Sequence, residues 1–363
     1  MMKIGLVGCG AISGIYLQKL TGTFTNVTIT AVADLNESRA REKAEQFGIP
    51  RVMTLDQMLA DDGIDLILNL TTPRSHYSIN KKALLAGKHV YVEKPLALTY
   101  AEGKELIEIA QSKGLYVGCA PDTFLGAGIQ TCIDLIQKGA IGKPVGGATF
   151  MLCHGHELWH PDPAFYYDFG GGPLFDMGPY YVTALVRMLG RAESVVSYCG
   201  RTYETRTSGK GESIPVKVDT HDVGLIRFAC GAIVSVTTSF DVWHQSMPKF
   251  HLFGTEGTLK VPDPNSFGGP VELAARDQAD FHTVDLITPY AENSRGIGVS
   301  ELALACEEKR VNNASGYLAL HVLEIMEGII RSNAEHREIV LESSPSELVP
   351  MDWSAPVGQL KTK

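Results

Sequence analysis

The 363-residue sequence predicts an α/β amino-terminal half followed by an α+β carboxy-terminal half. Three observations carry this. Strands alternate with helical stretches from residue 1 to about 120, consecutive strands with short turns prevail beyond about residue 145, and a glycine turn separates the first strand from the first helix. The cut is placed near Pro121 to Phe124, giving 1–122 as a doubly wound parallel-sheet domain and 123–363 as a domain with a large, mainly antiparallel sheet.

Residues 3–7 form a short apolar run, and Gly8-Cys9-Gly10-Ala11-Ile12-Ser13-Gly14 follows it. Ile12, Tyr16 and Leu20 recur at helical spacing, so a helix is expected from near Ala11. Residues 28–33 read as the next strand, closed by Asp34. This is the Rossmann order of strand, glycine turn, helix, strand and terminal acid, and it describes a dinucleotide site. Gly8 permits the tight turn and Gly10 lets the backbone approach the pyrophosphate. The N–H groups of Ala11 and Ile12 lie at the positive end of the helix. Asp34 would accept the ribose hydroxyls and favours NAD over NADP, because its carboxylate repels a 2′-phosphate; Arg39 nearby works against that preference. Ser13 stands where a third glycine is usual, and its small side chain still allows close packing of helix on strand.

Further along, 65–70 and 89–92 read as buried strands and 75–86 and 100–112 as helices, with Gly87 and Gly114 where helices stop. A helix over 124–138 bridges the two patterns. Strands over 222–228, 233–240, 250–253 and 258–261 follow one another through short turns, which predicts antiparallel pairing. Helical spacing returns over 300–311 and 315–331.

A net charge of −9 points to a small-molecule partner rather than to nucleic acid or an anionic membrane. The seven cysteines are scattered, odd in number and free of any C-x-x-C pair. That fits a reduced compartment and predicts neither a disulfide framework nor a cysteine metal site. No charged-then-apolar leader precedes the first strand, and no apolar run approaches the roughly 20 residues that span a bilayer, so the expected location is the cytoplasm.

Val90-Tyr91-Val92-Glu93-Lys94-Pro95 delivers an acid and a base where a strand leaves the sheet, and ligands of open α/β sheets bind outside the carboxyl ends of strands. Thr71-Thr72-Pro73, with His76 soon after, ends the preceding strand in the same region and is expected to line the nicotinamide side of the crevice beside Glu93 and Lys94. With the glycine turn, Asp34, Gly87-Lys88-His89-Val90 and Gly170-Gly171-Gly172 ahead of Asp176, these residues resemble the Gfo/Idh/MocA oxidoreductases, a family of sugar, inositol and polyol dehydrogenases. The resemblance covers nearly the whole chain. It implies a Rossmann domain followed by an open-faced sheet domain with the substrate between them, a role for Lys94 at the reacting hydroxyl, and a cis Lys94–Pro95 bond.

Asp176 and Tyr180 stand one helical turn apart, and a helix starting near Asp176 would put Pro179 in its first turn, where a missing N–H costs nothing. Asp176 could also serve as that helix's N-cap. In the relatives the position matching Tyr180 is usually a histidine that acts as acid and base. With reference pKa values of about 10 for tyrosine and about 10.4 for lysine, neither is a good base at neutral pH unaided. A nearby ammonium would lower the Tyr180 value and apolar surroundings that of Lys94, so the expected catalytic set is Lys94, Asp176 and Tyr180, with His156 or His160 as competing bases. His156, Trp159, His160, Phe165 and Tyr166 combine ring faces with hydrogen-bond donors, as a sugar ring demands.

His156-Glu157-Leu158-Trp159-His160 also spells a zinc-hydrolase motif, but Gly155, Pro161 and Pro163 leave barely one turn for the helix it needs. The leading expectation is an NAD-dependent oxidoreductase acting on a secondary alcohol of a sugar, glycoside or polyol, assembled as a homodimer or homotetramer. The second is a dinucleotide-binding sensor of the same fold, and the third, remote one is the zinc hydrolase.

Overall fold

The computed structural model describes residues 1–363 and divides the chain into two compact units. In the first, β1 (Met2–Val7) is buried from Ile4 onward and pairs in parallel with β2 (Val27–Ala33) on one side and β3 (Leu66–Asn69) on the other. β4 (His89–Val92) and β5 (Val117–Cys119) complete a five-stranded parallel sheet in the order β2-β1-β3-β4-β5. Parallel neighbours require crossovers, and helices α1 (Ser13–Gly22), α2 (Glu37–Phe47), α3 (Leu55–Ala60), α4 (Pro73–Leu85) and α5 (Tyr100–Lys113) supply them. Side-chain caps on Asn36, Thr54 and Thr99 start α2, α3 and α5, and left-handed Gly48 and Gly114 end α2 and α5. α1 begins at Ser13, two residues beyond the expected start, so Ala11 and Ile12 belong to the turn.

The second unit carries α6 (Ala127–Gln137), β6 (Pro144–Leu152), α7 (Gly172–Leu189), β7 (Ala192–Gly200), β8 (Thr205–Thr207), β9 (Ser213–Pro215), β10 (His221–Phe228), β11 (Ile233–Ser239), β12 (Phe250–Gly254), β13 (Gly257–Lys260), β14 (Val271–Ala275) and β15 (His282–Val284). Nine strands form one sheet, ordered β15-β14-β13-β12-β6-β11-β10-β7-β16, where β16 is Ile339–Val340. Only β6 and β11 pair in parallel. β8 and β9 make a separate hairpin. β10 alternates strictly between exposed and buried residues, as a sheet with one covered face requires, and α7 packs on β6, β10 and β11. The other face leaves Val196, Tyr198, Val223, Leu225 and Ile233 exposed.

Two expectations are corrected. The predicted cut between 122 and 123 gives way to a break after Gly126, and 287–323 and 345–363 return to the first unit. α8 (Ile297–Glu308) explains the return, because the buried Asp122 carboxylate accepts the N–H groups of Gly296 and Gly298 at its start, 2.8 and 3.1 Å away. The segment leading into α9 (Gly316–Glu335) then pairs with β5, where Cys119 donates to the Ala314 carbonyl at 2.9 Å. Second, α7 starts at Gly172 rather than near Asp176, with Pro173 in its first turn and Pro179 inside it. Pro173 has its φ preset for a helix start and no N–H to leave unpaired, so it takes the place expected for Pro179, and Asp176 is not the N-cap.

Candidate active site

The dinucleotide turn is built as the sequence predicts. Gly8 has φ +97°, and a Cβ there would lie 2.7 Å from the Leu70 carbonyl, so only glycine lets β1 end this close to the chain leaving β3. A Cβ on Gly10 would meet nothing within 4 Å, which leaves the turn open to an incoming phosphate. Ser13 is buried and donates its hydroxyl to the Gly10 carbonyl at 2.7 Å, so the residue replacing the third glycine locks the turn. Asp34 closes β2 and accepts two backbone N–H groups, from Cys9 through Oδ2 and from Asn36 through Oδ1, both at 2.8 Å. Arg39 lies 3.8 Å from the same carboxylate with half its side chain in solvent. Burial, then the Asp34 charge, push the Cys9 thiol up to about 11, which keeps it protonated at neutral pH. These groups fit a dinucleotide, with N–H groups and open space at the pyrophosphate position and an anchored acid at the ribose.

The strand-end lysine is held from several sides. The Glu93 carboxylate accepts the Tyr16 hydroxyl at 2.7 Å through one oxygen and the Lys94 backbone N–H at 3.0 Å through the other, joining α1 to the lysine. The Lys94–Pro95 bond is cis. His76 is fully buried, with Nδ1 2.7 Å from the Pro95 carbonyl and Nε2 3.0 Å from the Thr71 carbonyl. Burial lowers its pKa, against the pull of those two carbonyls. Asn69 takes the Thr71 N–H and hydroxyl, and Thr72 and Pro73 open α4. His76 therefore does not line an open crevice as expected. Its ring instead bridges the Lys94–Pro95 turn and the chain leaving β3. Tyr16 and Asn69 went unassigned in the sequence, since their partners are set by the tertiary fold.

In the second unit, the expected substrate residues gather in front of α7. His156 Nε2 lies 3.3 Å from the Asp176 carboxylate, and its ring meets Tyr166 edge-on at 4.6 Å and Phe240 at 4.9 Å. His160 adds edge contacts to Phe165 and Tyr166, and its Nδ1 accepts the Asp162 N–H. Tyr180 is buried one turn after Asp176 in α7. The triple glycine brings these parts together. A Cβ on Gly171 would sit 2.5 and 2.6 Å from the Phe165 and Tyr166 carbonyls, and Gly172 adopts φ +80° to begin the helix.

Glu157, the acid of the zinc motif, is buried, and its carboxylate accepts Arg206 at 2.8 Å and the Tyr167 hydroxyl. Burial alone would raise its pKa, but those two hydrogen bonds hold it below the usual carboxylate range. Residues 156–160 form a single turn, closed by the His160 N–H on the His156 carbonyl at 2.9 Å. With Glu157 committed to an ion pair and His156 to Asp176, the zinc-hydrolase expectation is overturned. Arg206 lies on the β8–β9 hairpin, also bonds Asp241 and the Phe240 carbonyl, and supports the whole loop from beneath. No local pattern in the sequence marks it.

Residues 2–120 match the family described as oxidoreductase family, NAD-binding Rossmann fold, and residues 129–260 match the GFO/IDH/MocA C-terminal domain. A dTDP-3,4-didehydro-2,6-dideoxy-alpha-D-glucose 3-reductase of Streptomyces violaceoruber is 30% identical over 265 residues, 72% of each chain. This chain belongs to the Gfo/Idh/MocA oxidoreductase family. An uncharacterized oxidoreductase of Schizosaccharomyces pombe is 31% identical over 171 residues, 46% of this chain, and the match spans only 44% of that protein's length. The solved structure of a levoglucosan dehydrogenase in complex with NADH and L-sorbose superposes with a TM-score of 0.81 at 22% identity, covering 94% of this chain and 99% of the other. That likeness concerns the fold.

Proposed function

We propose that this protein is an NAD(H)-dependent oxidoreductase that interconverts a secondary alcohol and a ketone on a sugar, glycoside or polyol. One observation carries the reading. The backbone of Lys94 is fixed by Glu93, and Glu93 is fixed by Tyr16 of the helix behind the dinucleotide turn, which supports a lysine that leaves β4 at the carboxyl ends of the parallel strands, where ligands of open α/β sheets bind. The dinucleotide supplies the hydride acceptor or donor when bound. Lys94 is assigned to the reacting oxygen, Asp176 to orienting the substrate, and Tyr180 to accepting and returning the hydroxyl proton. Gly8, Gly10, Ala11 and Ile12 are assigned to the pyrophosphate, Asp34 to the ribose in preference to a 2′-phosphate, and Thr71, Thr72 and Pro73 to the nicotinamide side. His156, His160 and Tyr166 are assigned to the substrate. The exposed apolar face of the nine-stranded sheet supports a homodimer or homotetramer, which sedimentation measures.

The 3.3 Å contact of His156 with Asp176 favours a second assignment, in which His156, oriented by that carboxylate, takes the proton. A panel of sugars, glycosides and polyols scored by nicotinamide absorbance tests the activity itself. Cofactor binding without turnover on every member would identify a sensor instead. Tyr180→Phe and His156→Ala then separate the bases: the true proton acceptor loses about 10²- to 10⁴-fold in kcat and the other far less.

A further inference from the structure

The loop ahead of α7 carries a connected set of rings, in which Trp159, Phe165 and Tyr166 are linked through His156 and His160. From Asp176 the contacts run outward through His156 to Tyr166 at 4.6 Å, and then from Tyr166 to Phe165, whose ring centroid is 4.0 Å away. Trp159 meets His156 edge-on at 5.2 Å and His160 at 5.6 Å. The outer two rings are left open, with Trp159 66% and Phe165 48% exposed. Single exposed aromatics need no explanation, but contiguous ones beside a polar site mark a binding surface.

The surface is also held rigid. Beneath it, Arg206 joins Glu157, Asp241 and the Phe240 carbonyl in a buried network that taking the charges out of water makes expensive. The loop of the β8–β9 hairpin props the same segment, with the Gly209 N–H on the Glu157 carbonyl at 2.9 Å and Lys210 on the Pro161 carbonyl at 2.8 Å. A platform fixed in this way loses little entropy when a ring settles on it. Histidines alternate with the aromatic rings, so the surface offers hydrogen bonds between stacking faces, as hydroxylated rings require and a plain hydrophobic partner does not.

We infer that Trp159 and Phe165 form an outer subsite for a second ring carried by the substrate, so that the preferred substrate is a glycoside and not a free monosaccharide. This rests on the oxidoreductase reading and narrows it. The reacting ring lies at Asp176 and His156, and the second ring, sugar or aryl, stacks one to two ring widths farther out.

The test compares glucose, galactose and xylose, each as the free sugar, the methyl glycoside and the phenyl glycoside in both anomers, by turnover and by quenching of tryptophan fluorescence in the presence of NAD. The expected result is a KM for at least one phenyl glycoside about 10-fold below that of its methyl counterpart, with kcat within a few-fold. Trp159→Ala and Phe165→Ala should each bring the phenyl-to-methyl ratio of kcat/KM close to one. Equal KM values for phenyl and methyl forms across all three sugars would overturn the inference. So would a Trp159→Ala protein that keeps the phenyl preference, or one that changes its sedimentation coefficient, since the rings would then be covered by a second copy of the chain. Fluorescence titration separates this from failure of the oxidoreductase reading, because phenyl glycosides that bind tightly without turnover would sink the chemistry and keep the subsite.

Discussion

The two candidate regions, one in each unit, are assembled in different ways. The candidate dinucleotide region of the first unit draws on segments that leave adjacent parallel strands, β1, β2, β3 and β4, so their placement follows from the sheet itself. The loop over 153–171 in the second unit has little regular structure and is held by Arg206 and Asp241, some 35 to 85 residues away in sequence. On the proposed function, a cofactor common to many enzymes would be met by strand ends, and a variable substrate by a loop, the kind of segment that tolerates change without disturbing the sheet.

Removing the amine at the rigid edge sharpens this contrast most. Lys94→Ala should lower kcat by about 10²- to 10⁴-fold while NAD binding, followed by fluorescence, stays within a few-fold. A comparable loss of NAD affinity would show that Lys94 serves the cofactor instead. On the other side, Arg206→Met strands two buried carboxylates and should reduce unfolding free energy by about 3–5 kcal/mol in urea titrations. If the cofactor half is independent of that loop, NAD binding by folded Arg206→Met should be unchanged.

Asp34→Ala should bring the NAD-to-NADP ratio of kcat/KM down about 10-fold, as the repulsion of a 2′-phosphate disappears and Arg39 is released. The smallest effect concerns pH. Burial raises Asp222 on β10 to about 7, above the unfolded value of about 3.9, so its contribution to stability is fully present below pH 4 and is lost as pH climbs through 7. Asp222→Asn should flatten the fall in urea midpoint over that window, and an unchanged slope would reject the assignment.

How much was legible follows the same division. The glycine turn, Asp34 and the Lys94 strand end could be read because each is a local consequence of period and turn chemistry, and four of the five parallel strands, β1 to β4, fall where the apolar runs placed them. Asp176 and Tyr180 were placed one turn apart on a single helix and lie so in α7, although the start of α7 was misplaced because Pro173 and Pro179 look alike in a sequence. His76 was read as belonging to the strand-end region, where it lies, and as lining an open crevice, whereas its ring is fully buried; a helical position one turn after Pro73 does not reveal that two carbonyls flank the ring. Arg206, Asp122 and Tyr16 were invisible for one reason. Each is defined by a partner more than 40 residues distant, and a lone arginine, aspartate or tyrosine gives no hint of which carboxylate or N–H will reach it.

The strut from Tyr16 through Glu93 to the Lys94 backbone has a bearing on redesign. Because the hydroxyl at its far end rises from the first helix, the glycine turn and the Lys94 backbone share one truss, whereas Asp34 is braced separately by Cys9 and Asn36. On the proposed roles, coenzyme preference would be open to re-engineering at the second strand without slackening Lys94, while even a conservative Tyr16→Phe exchange would leave the lysine on a looser hinge.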